Sequence, residues 1–243
     1  MKLIKLDAID STNDFLKVLA GSQNLENYTV VTAESQTKGK GQMGAKWVSE
    51  TGKNLTMSVL IKDSVFEIHH IYNLNVAVSL SVLLALEKFK IPKLAIKWPN
   101  DIMSDSKKIA GILIENSIKT DGKIVSIIGI GVNVNQVDFL ELPKASSLAV
   151  IMNTSFDKEA VLFGIIENIK RTLSKLENNE SLDLWMDYNS KLFKKGIPMP
   201  FESDKKGKFM GIIQDVTGDG RLRILLEDDS IELFDIKQIQ MLY

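Results

Sequence analysis

The chain contains no cysteine, and its only histidines are the neighbours His69 and His70. Disulfides, cysteine-ligated zinc and a thiol nucleophile are therefore excluded. Two adjacent histidines point to different faces of the backbone, so they read as structural or exposed rather than as a metal site. Arginine is scarce and occurs only at 171, 221 and 223. With 30 Lys and Arg against 31 Asp and Glu, the net charge of -1 offers no basic excess and argues against a general nucleic-acid binder. A long hydrophobic run is missing too. The longest apolar pattern, residues 74–89, is interrupted by Asn75, Ser79, Ser81, Glu87 and Lys88, which is too polar for a membrane span. The first residues, Met1 to Asp7, carry no apolar signal region. These absences predict a soluble, cytoplasmic protein with neither a membrane nor a nucleic acid as partner.

What is present is enough apolar material for a sizeable core: 44% of 243 residues. That length accommodates one large domain and one small one. Residues 11–20 read as a short helix capped by Ser11 or Thr12, with Asp14 favouring its positive end. Residues 28–34, 54–62, 94–98 and 109–116 read as strands. Residues 74–89 are apolar almost all round, as expected of a buried helix. Asp121-Gly122 signals a hairpin into a strand over 123–134. Residues 160–176 and 182–193 have helical periodicity. Gly196-Ile197-Pro198-Met199-Pro200 then breaks the chain, and Gly207, Gly211, Thr217-Gly218-Asp219-Gly220 and Asp228-Asp229 separate short β-rich runs. The expected class is α+β: a mixed sheet packed with helices over 1–196, followed by a small barrel over 197–243.

Several segments carry chemistry. Thr37 to Trp47 reads TKGKGQMGAKW, with Lys38, Lys40 and Lys46 and Gly39, Gly41 and Gly44 but no acidic residue. Glycine lets the backbone approach a ligand closely, and lysine supplies a mobile point charge suited to phosphate; a solvated basic turn has the same composition. Ser11-Thr12-Asn13-Asp14 opens the first helix. Lys97-Trp98-Pro99-Asn100-Asp101 presents a carboxamide and a carboxylate at a strand end, though Asn-Asp after proline is also ordinary turn chemistry. Lys107-Lys108-Ile109-Ala110-Gly111-Ile112-Leu113 follows. Lys108 is a candidate catalytic cation or, read alone, a strand-edge lysine; Lys107 should point the other way. Gly129-Ile130-Gly131-Val132-Asn133-Val134-Asn135 lacks the third glycine and the following helix of a dinucleotide fingerprint.

In this order and at these spacings the set, from about Asp10 to Asn135, resembles the biotin protein ligases. The resemblance implies a class II synthetase-like (lipoate–biotin ligase-like) catalytic domain and an SH3-like C-terminal barrel. It implies an enzyme that uses ATP and Mg2+ to convert biotin to biotinyl-5′-adenylate and then transfers biotin to a lysine of the biotin carboxyl carrier protein. Lys108, Asp101 and Lys40 are the implied catalytic residues. Ser11, Thr12, Asn13, Gln36, Gly39, Lys108 and Gly111 are implied for biotin, whose neutral ureido ring suits hydroxyls and amides. Lys40, Gln42, Trp47, Asn100, Asp101 and Asn133 are implied for ATP, with magnesium held mainly by the nucleotide phosphates. Ser11 and Thr12 also serve as caps, and Trp47 is equally a core aromatic. A monomer or weak homodimer is expected. The Ser11 motif begins only ten residues in, so the N-terminal helix-turn-helix domain of some family members is not expected. One departure stands out: the family's loop carries several arginines in a Gly-Arg-Gly-Arg-like pattern, whereas this chain has Gly39-Lys40-Gly41-Gln42. Loss of arginine's bidentate fork implies a looser hold on the adenylate. The alternatives are a lipoate–protein ligase-like acyltransferase and a non-catalytic biotin- or nucleotide-binding module.

Overall fold

The computed structural model describes residues 1–62, 71–118, 123–178 and 180–243. The Asp121-Gly122 turn and the His69–His70 pair lie outside these residues. A seven-stranded sheet has the order β1-β2-β3-β7-β6-β5-β4. Its strands are β1 (Leu3–Ile9), β2 (Val30–Gln36), β3 (Leu55–Lys62), β4 (Leu94–Lys97), β5 (Asp101–Ser104), β6 (Lys107–Ile118) and β7 (Ile124–Val132). β1 and β2 pair in parallel and the other neighbours are antiparallel. The helices are α1 (Thr12–Ser22), α2 (Tyr72–Lys88), α3 (Leu148–Met152), α4 (Lys158–Glu177) and α5 (Ser181–Ser190).

The central strands explain the layering. β7 reads IVSIIGIGV, and its alternate residues go to different places. Ile128, Ile130 and Val132 join the main core with Val76, Leu80 and Leu83 of α2 and Ile165 and Ile169 of α4. Val125 and Ile127 join a smaller cluster with Leu16 of α1 and Leu60 of β3. A strand covered on both faces needs apolar side chains at nearly every position. Of the polar interruptions in α2, Ser79 and Ser81 are buried while Glu87 and Lys88 at its end are exposed; Ser81 Oγ lies 2.7 Å from Thr172 Oγ1 of α4 and bonds the Ala77 carbonyl. Hidden hydroxyls of this kind let an all-round apolar helix carry serine without exposing it.

Beyond Gly196, β8 (Pro198–Ser203), β9 (Gly207–Val216), β10 (Leu222–Leu226), β11 (Ile231–Phe234) and β12 (Gln240–Met241) form one antiparallel sheet in the order β11-β10-β9-β8-β12. The expected barrel is thus seen as a sheet with β11 and β12 at its ends. It does not stand apart. Phe201, Ile213, Val216, Leu222 and Phe234 are buried in the same core cluster as α2 and β6. Trp98 donates its indole N–H to the Gly220 carbonyl at 2.9 Å. Gly220 has φ 92, and a Cβ there would lie 2.3 Å from the Tyr72 ring, so this contact demands glycine.

Candidate active site

Between α1, the 37–47 loop and the ends of β5, β6 and β7 lies a cavity of about 300 Å³. Its floor is made of missing side chains. Gly111 of β6 pairs directly with Gly131 of β7, and Gly129 pairs with Leu113. A Cβ at Gly131 would lie 2.3 Å from the Trp47 indole, one at Gly129 2.5 Å from Asn13 Oδ1, and one at Gly111 3.1 Å from Trp47 and 3.2 Å from Lys108 Nζ. Trp47 therefore lies flat on backbone, and its indole N–H is buried without a partner. Both loop and helix come to rest where β6 and β7 have no bulk.

One end of the cavity is neutral and rich in hydrogen-bonding groups. Ser11 is the N-cap of α1, accepting from the Asp14 N–H, so its hydroxyl has a structural task as well as a cavity-facing one. Thr12 donates both its N–H (2.8 Å) and its hydroxyl (3.0 Å) to Gln36 Oε1, which leaves the Gln36 NH₂ group for other partners. Asn13 donates to Glu115 Oε2 at 2.7 Å and accepts from the Ser58 hydroxyl at 2.6 Å. Ser11, Thr12 and Asn13 are all buried. With both ends of the Asn13 amide and the oxygen of the Gln36 amide committed, the network leaves the Gln36 NH₂ group as the free amide donor.

The opposite end is ionic. Asp101 is the first residue of β5, not part of a turn, and it pairs across the sheet with Gly111. The turn ends one residue earlier because Asn100 is pinned to β6: its amide donates to the Ile112 carbonyl at 2.6 Å, and the Ile112 N–H returns to the Asn100 carbonyl. A bulge in the β5–β6 ladder next to Ile102 and Met103 re-aims the residues before Ala110. Lys108 then reaches Asp101 Oδ1 at 2.6 Å, and Lys97 lies 3.7 Å from Asp101 Oδ2. Lys107 points away and donates to the Pro143 carbonyl. The carboxylate is mostly shielded, at 15% side-chain exposure, so these pairs are weakly screened. Lys108 also stands 5.7 Å from the centre of the Trp47 ring.

The glycine-rich loop is a small hairpin over the cavity. Lys40 and Lys46 bridge, the Trp47 N–H bonds the Gly39 carbonyl, and Met43 (φ 62) with Gly44 (φ 84) turns the chain. A Cβ on Gly39 would strike the Trp47 carbonyl at 2.4 Å. Lys40 holds Asp14 of α1 at 2.6 Å, and this hydrogen bond raises the Lys40 pKa, with the Glu115 charge contributing last. Lys38 is paired with Asp10. Lys46 lines the cavity with no ion pair among the described residues.

The structure thus gathers Ser11, Thr12, Asn13, Gln36, Lys40, Gln42, Trp47, Asn100, Asp101, Lys108 and Gly111 around one cavity. Two expected residues stand outside its walls. Gly39 shapes the loop from behind, and Asn133 is buried with its amide donating to the Ser146 carbonyl. Four contributors were not anticipated: Ser58, Glu115, the Gly129–Gly131 floor and Tyr243. The Tyr243 ring lies beneath the Lys97 and Lys144 ammonium groups, 5.0 and 4.4 Å away. Burial raises its phenol pKa, the Asp101 charge adds to this, and Lys108 opposes it. The glycines at 129 and 131 did leave a signal, since a spacing of two on a strand puts both on one face.

Comparison with known proteins agrees with this geometry. The profile of the Biotin/lipoate A/B protein ligase family matches residues 6–135. The chain is 34% identical over 168 residues to the bifunctional ligase/repressor BirA of Bacillus spizizenii, covering 68% of this chain and 51% of the relative. It is 26% identical over 215 residues to the biotin–[acetyl-CoA-carboxylase] ligase of Mycobacterium tuberculosis, covering 87% and 79%. The chain spans about half the length of the first of these relatives. Among solved structures, biotin protein ligase from Aquifex aeolicus in complex with biotin and ATP superposes with a TM-score of 0.81 at 30% identity, over 99% of this chain and 98% of that one.

Proposed function

The chain belongs to the Biotin/lipoate A/B protein ligase family, and from that premise we propose that it is an ATP-dependent biotin–[biotin carboxyl carrier protein] ligase. The observation that carries this reading is the change of character along one cavity. Neutral amides and hydroxyls lie at one end, Lys108 and Lys97 gather on Asp101 at the other, and a glycine floor runs between them. Biotin has the same polarity: an uncharged ureido ring, an apolar chain and a carboxylate.

In this reading the ureido ring meets Ser11, Thr12, Asn13 and Gln36, and the chain lies along Gly111 beneath Trp47. The carboxylate comes to Lys108. One carboxylate oxygen attacks the α-phosphorus of ATP, the α–β phosphoanhydride bond breaks, and pyrophosphate leaves with the bonding electrons. Two anions must meet for this, so Lys108 lowers the barrier by standing where negative charge concentrates. Asp101 orients Lys108, and Asn100 and Gln42 face the nucleotide. A neutral lysine amine of the carrier then attacks the acyl carbon of the adenylate, and AMP departs. The lidded cavity keeps water from the mixed anhydride. Among the described residues no group of His, Asp or Glu converges to hold a metal ion. Magnesium, in this reading, enters on the nucleotide phosphates, with Asp101 as the carboxylate within reach.

Residues 1–196 form the catalytic unit in this assignment. Residues 197–243 form an SH3-like support that buttresses Trp98 and serves nucleotide or carrier binding, in a monomer or weak homodimer. The test is pyrophosphate release that requires both ATP and biotin, together with protection against heat by biotin but not by lipoate. Protection by lipoate alone would move the chain to the acyltransferase reading. Binding without pyrophosphate release would make it a sensor.

A further inference from the structure

The two outer strands of the seven-stranded sheet finish it differently. β4 is covered: the Ile96 N–H bonds the Lys191 carbonyl and the Phe193 N–H bonds the Ile96 carbonyl, so residues 191–193 lie along its outer side. β1 has β2 on one side and, among the described residues, no strand on the other. The Lys2 carbonyl accepts from the Val30 N–H at 2.8 Å. Alternate residues of a strand bond the same neighbour, so Ile4 and Leu6 also turn their peptide groups to β2, and Leu3, Lys5 and Asp7 turn theirs outward. Natural edges are commonly blunted by lysine, proline or a bulge. β1 reads LIKLDAI, without proline, and keeps one register against β2 throughout. Its charges are one of each sign, Lys5 and Asp7, both exposed.

We propose that the β1 edge is a two-fold interface for a second copy of this chain, with the two β1 strands antiparallel and Leu6 at the axis. Charge selects both the occupant and the register. Outward peptide groups must meet outward peptide groups, so the two-fold registers near the middle of β1 put Lys5, Leu6 or Asp7 on the axis. Lys5 on the axis opposes two ammonium groups, and Asp7 on the axis opposes two carboxylates; like charges directly opposite destabilise a sheet. With Leu6 on the axis, Lys5 faces Asp7 of the partner subunit and Asp7 faces Lys5 of the partner subunit, the reciprocity that a two-fold contact requires. Lys5 already holds Glu159 at 2.5 Å, so its ammonium then lies between two carboxylates. Ile4 and Leu6 are half-buried against the cluster under α1, and this register continues that apolar layer across the axis. At its ends Lys2 comes opposite Asp10 of the partner subunit. Asp10 anchors the glycine-rich loop through Thr37 and Lys38, so assembly meets the loop that covers the cavity. A single ladder falls below the size of a stable interface, and the dimer it makes is weak and concentration-dependent. This inference does not depend on which acyl group the site takes.

Sedimentation equilibrium of the full chain over a wide concentration range tests this, with Asp7→Lys and Lys5→Glu as variants. Both side chains are exposed and neither lines the active-site cavity, so each variant keeps its fold and its site. Wild type should dimerise reversibly. Asp7→Lys opposes like charges at two symmetric places and should raise the dissociation constant about ten-fold or more. Lys5→Glu should do the same with carboxylates. Mixed in equal amounts, the two variants oppose unlike charges throughout, so they should form a heterodimer at concentrations where neither pairs with itself. A wild type that stays monomeric, a dimer that Asp7→Lys leaves unchanged, or variants that fail to pair on mixing would each overturn the interface. A monomeric wild type whose complex with a biotin carboxyl carrier domain is weakened by Asp7→Lys would give the edge to the carrier instead, and would overturn it equally.

Discussion

Replacing Lys108 by alanine removes one ammonium from a site where Asp101 holds it at 2.6 Å with two-thirds of its side chain shielded. Asp101 keeps Lys97 at 3.7 Å, so the carboxylate is not orphaned and the fold should tolerate the change. The loss falls on chemistry. Lys108 supplies charge where biotin carboxylate and α-phosphate converge, and deleting one such preorganised contact costs about 3 kcal/mol, or roughly 100- to 1,000-fold in rate. Lys107→Ala is the control. Its ammonium points outward to the Pro143 carbonyl, and exposed substitutions of this kind stay within about 0.5 kcal/mol. The assay is pyrophosphate release at saturating ATP and biotin, with thermal midpoints checked in parallel. A large loss in Lys108→Ala beside near-normal Lys107→Ala is expected. Equal rates in the two variants would refute the role of Lys108.

Gln42→Arg should slow escape of labelled biotinyl-adenylate by roughly ten-fold or more, since a charge-assisted hydrogen bond adds about 1.5–3 kcal/mol; release as fast as wild type on rapid dilution would mean that residue 42 does not face the phosphate. Tryptic cleavage in the 37–47 loop should occur first after Lys46, because Lys38 and Lys40 are tied to Asp10 and Asp14, and should slow with biotin and ATP; cleavage indifferent to saturating ligand would contradict closure of the loop. Burial pushes the Tyr72 phenol up to about 12. Its neutral form is thus favoured by folding: the contribution, about 3 kcal/mol, is complete below pH 10 and is lost as pH rises towards 12. Urea midpoints of Tyr72→Phe should accordingly fall less steeply above pH 10 than those of wild type, and parallel curves would dismiss the idea.

The strands and helices with strong periodicity were legible in the sequence, because burial on one or both faces dictates their composition. β2, β3, β6, β7, α2 and α4 all appear near their expected ranges. β1 and β5 were not legible. β1 is an edge strand whose charged Lys5 and Asp7 mask its apolar residues, and nothing local announces its parallel pairing with β2. At β5, turn chemistry competed with strand formation after Pro99, and the tertiary bonds from Asn100 to Ile112 decided the outcome. The motifs named the main side chains of the cavity, yet register alone brings Glu115 to Asn13 and Ser58 to Thr12. Tyr243 belongs to no motif. Only the docking of the C-terminal sheet through Trp98 and Gly220 carries it to the lysines. The short strands of that sheet bury their apolar residues in the common core, a docking that no local pattern specifies.

The central claim is transfer of biotin to a carrier lysine through an ATP-derived intermediate. Its most direct test incubates the protein with ATP, magnesium, biotin and a biotin carboxyl carrier domain, followed by mass measurement of the carrier. The account predicts a carrier heavier by one biotinyl group on a single lysine, dependent on ATP and abolished or greatly slowed by Lys108→Ala. An unmodified carrier under conditions where the protein binds both biotin and ATP would contradict it.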